Sequence, residues 1–375
     1  MFFMNRYIVI GSGILGASTA YRLAKAGAET IIVDRQEPGQ ATDAAAGIVA
    51  PWLTKRRNKA WYALAKGGAQ SYGPLVEELS DDGETNTGYA KVGSVNLDTD
   101  PEKLESMKEL ALTRRENAPE IGDISLLDSK ETRELFPLLS EGYGAVHISG
   151  AARVDGRALR NALLNGATKH GAKVIEGNAR LLVEDTTVKG VSVNGRTIEG
   201  DKVIAGTGAW TRELLEPLGI YFDVRPQRAQ IIHLQVPGVS TENWPVVKPP
   251  FNQYMLTFKD RIIVGATHEN NTGFEHRITA GGIHYILTHA MKVAPALENA
   301  SIIETRIGFR PMTPESIPVL GELPGFDGLL LANGLGSSGL TIGPFAGQQL
   351  ADLAMGKELK IDLAKYDMSR LIKEK

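Results

Sequence analysis

The strongest constraint on this chain lies near its start. Tyr7-Ile8-Val9-Ile10 runs directly into Gly11-Ser12-Gly13-Ile14-Leu15-Gly16, and the next apolar run, Thr30-Ile31-Ile32-Val33, ends in Asp34. A buried strand, a tight glycine turn, a helix and a second strand closed by an acid form the opening unit of a parallel α/β sheet. Gly11 lets the chain leave the strand, Gly13 lets a diphosphate approach the backbone, and Gly16 lets the helix pack close to the sheet. The helix expected over 13–26 carries Leu15, Thr19, Leu23 and Ala26 as an apolar stripe, with Gly27 as its stop. Its free N–H groups and positive dipole end suit a diphosphate. Asp34 stands where a carboxylate accepts from ribose hydroxyls. A dinucleotide site follows, but the turn alone does not separate NAD from FAD. Asp34 argues against a 2′-phosphate, although Arg35 is adjacent.

A chain of 375 residues has room for two domains. Its net charge of -3 implies no general attraction to nucleic acid. There is no cysteine, which excludes disulfides, thiolate metal sites and a cysteinyl flavin link and fits a cytoplasmic location. No run approaches the roughly 18 apolar residues of a membrane span, and Met1-Phe2-Phe3-Met4 reads as a short lead to the first strand rather than a signal peptide. The seven histidines show no metal-ligand pattern. The basic run 55–59 reads as a solvated helix start.

Further along, periodicity predicts helices over 58–79, 101–115, 128–136, 283–293 and from Asp155, as N-cap, to His170. Residues 188–193 and 197–199 form a hairpin through Asn194-Gly195. Lys202-Val203-Ile204-Ala205 is a buried strand leading to a second glycine turn, and 224–264 is strand-rich. Leu329-Leu330-Leu331 leads to a third, Gly334-Leu335-Gly336-Ser337-Ser338-Gly339, which opens a helix to about Met355. That helix start can face a phosphate, or a flavin edge that gains negative charge on reduction. Arg310, at the end of a strand over 301–310 and followed by Pro311, can clamp a carboxylate with two hydrogen bonds. Glycine turns at the start, middle and end make the nucleotide domain discontinuous. We expect it to comprise 1–83, 146–223 and 307–375, with 84–145 and 224–306 forming the substrate domain.

Together, Gly11–Gly16, Ala44-Ala45-Ala46-Gly47, Ala205-Gly206-Thr207-Gly208-Ala209-Trp210, Ile263-Val264-Gly265-Ala266-Thr267, Gly308-Phe309-Arg310-Pro311 and Gly334–Thr341 resemble the D-amino-acid oxidase family of flavoenzymes. That family includes glycine oxidase, sarcosine oxidase and the D-amino-acid dehydrogenases. The resemblance implies a glutathione-reductase-type, Rossmann-like FAD domain with an inserted α+β substrate domain on a mixed or antiparallel sheet. It implies non-covalent FAD, with Gly11, Ser12, Gly13, Ile14, Leu15, Gly16, Asp34 and Arg35 at the ADP half. Thr42, Ala45, Ala46 and Gly47 would line the cofactor, Arg180 would meet the adenine through its backbone, and Thr207, Gly208 and Trp210 would pack near the ribityl and pyrophosphate. Gly336, Ser337, Ser338, Gly339, Leu340 and Thr341 would face the flavin pyrimidine. Arg310 would hold the substrate carboxylate and border the cofactor, and Tyr254 would close the pocket.

The implied reaction is oxidation of the Cα–N bond of a small amino acid (glycine, a secondary or a D-amino acid) by hydride transfer from Cα to flavin N5. The acceptor is O2 or another electron carrier, and a homo-oligomer is left open. The chain departs from the family pattern at Leu335, where a histidine often stands, at Ser337 and Ser338, where bulkier residues are frequent, and at His268, where an acid is common. Two alternatives remain at this stage. An NAD-dependent dehydrogenase would leave the last glycine turn idle. A catalytically silent FAD-binding subunit of a larger dehydrogenase complex would leave Arg310 and Tyr254 without a task.

Overall fold

In a computed structural model, residues 5–54 and 56–374 are described. The expected lead at Met1–Met4, and Lys55 of the basic run, lie outside them. Two sheets organise the chain. The first has six strands in the order Val319–Glu322, Leu329–Asn333, Lys202–Ala205, Arg6–Ile10, Glu29–Asp34 and Lys173–Glu176. All pairs are parallel except the first, which is antiparallel. Arg6–Ile10 is thus central, and its apolar side chains are buried, as a strand covered on both faces requires. This is the Rossmann-like sheet that the opening motif predicts.

One face is covered by three helices: Ile14–Lys25, packed between Gly156–Lys169 and Gly339–Ala354. The N-terminal and C-terminal helices cross closely because Gly347 has no side chain. A Cβ there would sit 2.7 Å from Ser18 Cβ and 2.8 Å from the Leu15 carbonyl oxygen. Asp155 caps its helix, accepting from the Ala158 N–H at 3.0 Å, and Gly27 follows the first helix with φ +84°. The other face carries the three-stranded meander Arg180–Glu184, Thr187–Val193 and Arg196–Glu199. Its second turn has Asn194 and Gly195 at φ 52° and 73°, the left-handed pair that a two-residue hairpin needs.

The second sheet is mixed and has eight strands, in the order Ser301–Met312, Arg225–Gln235, Arg261–Gly265, Tyr254–Phe258, Val246–Lys248, Ser94–Asp98, Gly144–Ile148 and Ile124–Leu127. It draws on both stretches expected to form the substrate domain, joined by the parallel pair Val246–Lys248 with Ser94–Asp98. The strand expected to end at Arg310 continues through Pro311 to Met312. It lies at the sheet edge, where proline's missing N–H costs no ladder bond. The helix expected over 283–293 begins earlier, at Ala280, capped by the Thr279 side chain. No helix among the described residues is long and apolar enough to cross a membrane.

Candidate functional site

A cavity of about 880 Å³ runs between the two sheets, near the upper end of the roughly 300–1,000 Å³ of small-molecule sites. Its lining includes every candidate residue except Ser12 and Gly16. Those two lie behind the turn. Gly11 is at φ +95°, and a Cβ on Gly16 would fall 1.8 Å from the Gly11 carbonyl oxygen, so the turn and helix can meet only with glycine there. Ser12 Oγ donates to Asp34 Oδ2 at 2.8 Å.

The helix start at Gly13 and Ile14 has no acidic residue in its first turn. Ile14 N–H donates to Thr42 Oγ1 at 2.9 Å, which ties the turn to the loop after Asp34. The Asp34 carboxylate takes four protein hydrogen bonds: two from Ser12, one from the Gln36 N–H at 2.6 Å and one from Gln40 Nε2 at 3.1 Å. A carboxylate has about four acceptor sites, so a ribose hydroxyl would replace one of these partners, the Gln40 amide being the most readily moved. Arg35 is held by Glu213 in a two-bond fork at 2.7 and 3.0 Å and by Glu37 at 2.9 Å. Its charge is therefore already matched, which agrees with the reading of Asp34 against a 2′-phosphate. Arg180 opens the meander, and Trp210 stacks on Phe274 with centroids 4.9 Å apart.

At the other end, the helix Gly339–Ala354 also starts without a side-chain cap or an acid in its first turn. The loop Ala44–Gly47 passes in front of it. Thr341 Oγ1 donates to the Ile48 carbonyl at 2.8 Å, and Tyr72 Oη donates to the Leu340 carbonyl at 2.5 Å, so both side chains fix the helix start against its surroundings.

Arg310 stands directly across the ladder from Gln227, whose Oε1 accepts from its Nη1 at 3.1 Å. The same nitrogen reaches the Thr267 carbonyl at 3.3 Å and His268 Nδ1 at 2.8 Å. All three partners are neutral. Burial pulls the Arg310 guanidinium below its ordinary pKa, Tyr254 opposes this, and the charge of Arg56 adds to the lowering. Burial raises the Tyr254 phenol, against the pull of Arg310. Burial, then Arg310, pushes His268 down to about 4, so its ring is neutral near pH 7 and can accept from Arg310.

Three further residues of this end were not singled out by sequence reasoning. Arg56 belongs to the basic run read as a solvated helix start. That reading holds for Arg57 and Lys59, which are exposed, but Arg56 is half-buried and lines the cavity. It precedes the helix, which begins at Lys59 with Asn58 as cap. Its guanidinium lies 4.8 Å from the Trp61 ring centre, and its Nη2 is 3.3 Å from Ser337 Oγ. Lys248 also lines the cavity, with Nζ donating to the Ala50 carbonyl at 2.5 Å. Burial lowers it to about 8. Asn252 lies 3.0 Å from His268 Nε2. Only long-range strand pairing and the paths of the loops that carry Arg56 and Asn252 bring these side chains together. The sole local signal was a cation, Lys248, closing the apolar run Val246-Val247. Among the described residues no cluster of histidine and carboxylate side chains could hold a metal ion.

These features define an FAD-type site on a Rossmann-like fold, and the chain belongs to the FAD dependent oxidoreductase (DAO) family, whose model matches residues 6–353. It is 56% identical to the Uncharacterized oxidoreductase YurR of Bacillus subtilis (strain 168), over 97% of this chain and 98% of that protein. It is 32% identical to a glycine oxidase of Pseudomonas aeruginosa, over 96% and 98%. Among solved structures, the iminodiacetate oxidase (IdaA) of Chelativorans sp. BNC1 matches with a TM-score of 0.93 at 44% identity, covering 97% of this chain and 99% of that one. The protein is thus an FAD-dependent oxidoreductase, and the NAD alternative is set aside. The residues fit the cofactor. Two helix starts without acidic residues open on one cavity, and a Cβ on Gly208 or Gly339 would meet nothing within 4 Å, leaving backbone accessible to a flat or phosphorylated group.

Proposed function

We propose that this protein oxidises the Cα–N bond of a small amino acid, namely glycine, a secondary amino acid or a D-amino acid, and that FAD is held non-covalently. On this reading the Gly11–Leu15 turn and Asp34 hold the ADP half, and Ala45–Gly47, Thr207–Trp210 and Gly336–Thr341 line the rest. The eight-stranded sheet, from 84–145 and 224–306 together with the strand through Arg310, supplies the substrate wall.

The observation that carries the reading is Arg310: a buried guanidinium at the Gly336–Thr341 end of the cavity, with no carboxylate partner among the described residues. FAD supplies a two-electron acceptor for the Cα hydrogen as hydride. Arg310 binds the substrate carboxylate, and Gln227, Thr267 and His268 hold its guanidinium plane still. Tyr254 closes the apolar side of the pocket. The amine enters neutral and loses its proton to water, so no buried base is required. The product imine then adds water and splits into a keto acid and an amine. Catalysis by the chain is chiefly positioning, with the helix start at Gly339 stabilising developing negative charge. O2 or another carrier reoxidises the cofactor.

The test is anaerobic bleaching of the 450 nm flavin band by glycine, sarcosine, D-alanine and D-proline, followed by admission of air. At least one should bleach it. A flavin unreduced by any amino acid, secondary amines included, overturns the reading in favour of the silent subunit.

A further inference from the structure

The charges along the cavity are sorted. Its acids, Asp34, Glu37 and Glu213, are all at the Gly11 end. There Glu37 and Glu213 face Arg35, and Asp34 is satisfied by Ser12, Gln36 and Gln40. The other end carries three cations, Arg310, Arg56 and Lys248, and none of them pairs with a carboxylate among the described residues. Arg56 is close enough for its charge to act on Arg310.

Like charges gathered in a poorly solvated space repel, and their usual compensation is a bound anion. A single carboxylate on Arg310 would leave two positive charges facing the same space. The aromatic and backbone contacts of Arg56 and Lys248 orient those groups without neutralising them.

We propose that the preferred substrate carries two carboxylates flanking the oxidised nitrogen, an N-(carboxyalkyl) amino acid, with one carboxylate on Arg310 and the second on Arg56 assisted by Lys248. This rests on the Cα–N oxidation proposed above and adds a specificity subsite to it. The reaction is unchanged: the Cα hydrogen leaves as hydride to FAD, the nitrogen loses one proton, and water splits the imine. With two carboxylates, the products are an oxo acid and an amino acid.

The test uses the FAD-loaded enzyme and two inert probes. In thiodiacetate a sulfur replaces the nitrogen, so no imine can form; (methylthio)acetate lacks the second carboxylate. Dissociation constants are read from the shift of the flavin spectrum. Wild-type enzyme should bind thiodiacetate tighter by about tenfold or more, the scale of one charge-assisted contact. Arg56→Leu should bring the two constants to within about threefold, Lys248→Met should narrow the gap in part, and Arg56→Lys should keep the preference. In turnover, the ratio of kcat/KM for iminodiacetate over sarcosine should fall in the same order. Equal affinity of wild-type enzyme for the two probes overturns the proposal and needs no variant. So does an Arg56→Leu enzyme that weakens both probes by one common factor, which would make Arg56 a partner of the cofactor. Bleaching by any of the amino acids with no preference for the dicarboxylate sinks this inference alone, whereas a flavin bleached by none of them, iminodiacetate and sarcosine included, sinks the reading beneath it.

Discussion

Arg310→Leu is the most direct test of the substrate wall. Nη1 is occupied by Gln227, Thr267 and His268, so a ligand carboxylate would meet the rest of the guanidinium. A hydrogen bond to a charged group contributes about 1.5–3 kcal/mol. At about 1.4 kcal/mol per tenfold, loss of the clamp should lower kcat/KM by roughly 10- to 150-fold. The carboxylate keeps its charge throughout the reaction, so the contact is about equally strong before and at the transition state. The loss should therefore appear mainly in KM, with a smaller fall in kcat from looser positioning. Arg310→Lys retains the charge but not the planar fork and should fall between wild type and Arg310→Leu. Steady-state kinetics gives the split, and the ratio of absorbance at 450 to 280 nm gives flavin content. Unchanged KM with full flavin content would remove Arg310 from the substrate site. Loss of flavin in Arg310→Leu would assign the residue to the cofactor instead.

Other positions test the frame of the site. A Cβ on Gly308 would come within 2.8 Å of Ala44 Cβ, so Gly308→Val should push the Arg310 strand off the cofactor loop, weakening flavin binding and raising KM together; a change in only one of these refutes the coupling. Thr42→Val orphans the Ile14 N–H and should lower the stability of the flavin-free protein by about 1–3 kcal/mol in urea titration, a loss absent if a water takes over the bond. His233 is fully buried, neither ring nitrogen has a hydrogen-bond partner, and burial, then Arg306, lowers it to about 4. The unfolded chain binds this proton below about pH 6.5 and the folded one only below about 4, so stability should fall as pH drops through that window. His233→Leu should remove about 2 kcal/mol of the loss between pH 7 and pH 4.5, and an unaltered pH slope would show that folding does not lower the pKa of His233.

The glycine-turn half of the candidate site was legible in the sequence because its determinants are local. A strand, a glycine turn and a helix start lie within a dozen residues of one another, and the steric demands at Gly11 and Gly16 leave a mark in residue type. Arg310 stood out for a different reason: an arginine next to Pro311 near the end of a strand can clamp a carboxylate ligand or pair with an acid of the other domain, and among the described residues no carboxylate pairs with it. Arg56 and Lys248 were not legible. A cation in a basic run and a cation at the end of a short strand are common on solvated surfaces, and the two-residue apolar run before Lys248 is too short a signal to single it out. Their position depends on the parallel pairing of Val246–Lys248 with Ser94–Asp98 and on the path of the chain after Gly47. Both are long-range outcomes that no local pattern encodes. The same holds for the sheet edge at Ser301–Met312, whose proline reads locally as an end and is in fact an edge.

That edge strand also explains how the two halves stay in register. Beyond its pairing with Arg225–Gln235, it is joined to the loop after Asp34: Phe309 N–H donates to the Gly39 carbonyl at 2.9 Å, and Gln40 bridges Phe309 in parallel. The same loop continues through Thr42, which accepts from the first helix, to Ile48, which accepts from Thr341 at the start of the last helix. Arg310 therefore sits one residue from a backbone bond to a segment that lines the cavity. On the proposed function, a link of this kind would hold the carboxylate clamp on one sheet in fixed relation to the flavin ring against the other, which positioning catalysis requires to within about half an ångström. The loop after Asp34 thus ties the edge of the eight-stranded sheet to the starts of the first and last helices that cover the six-stranded one.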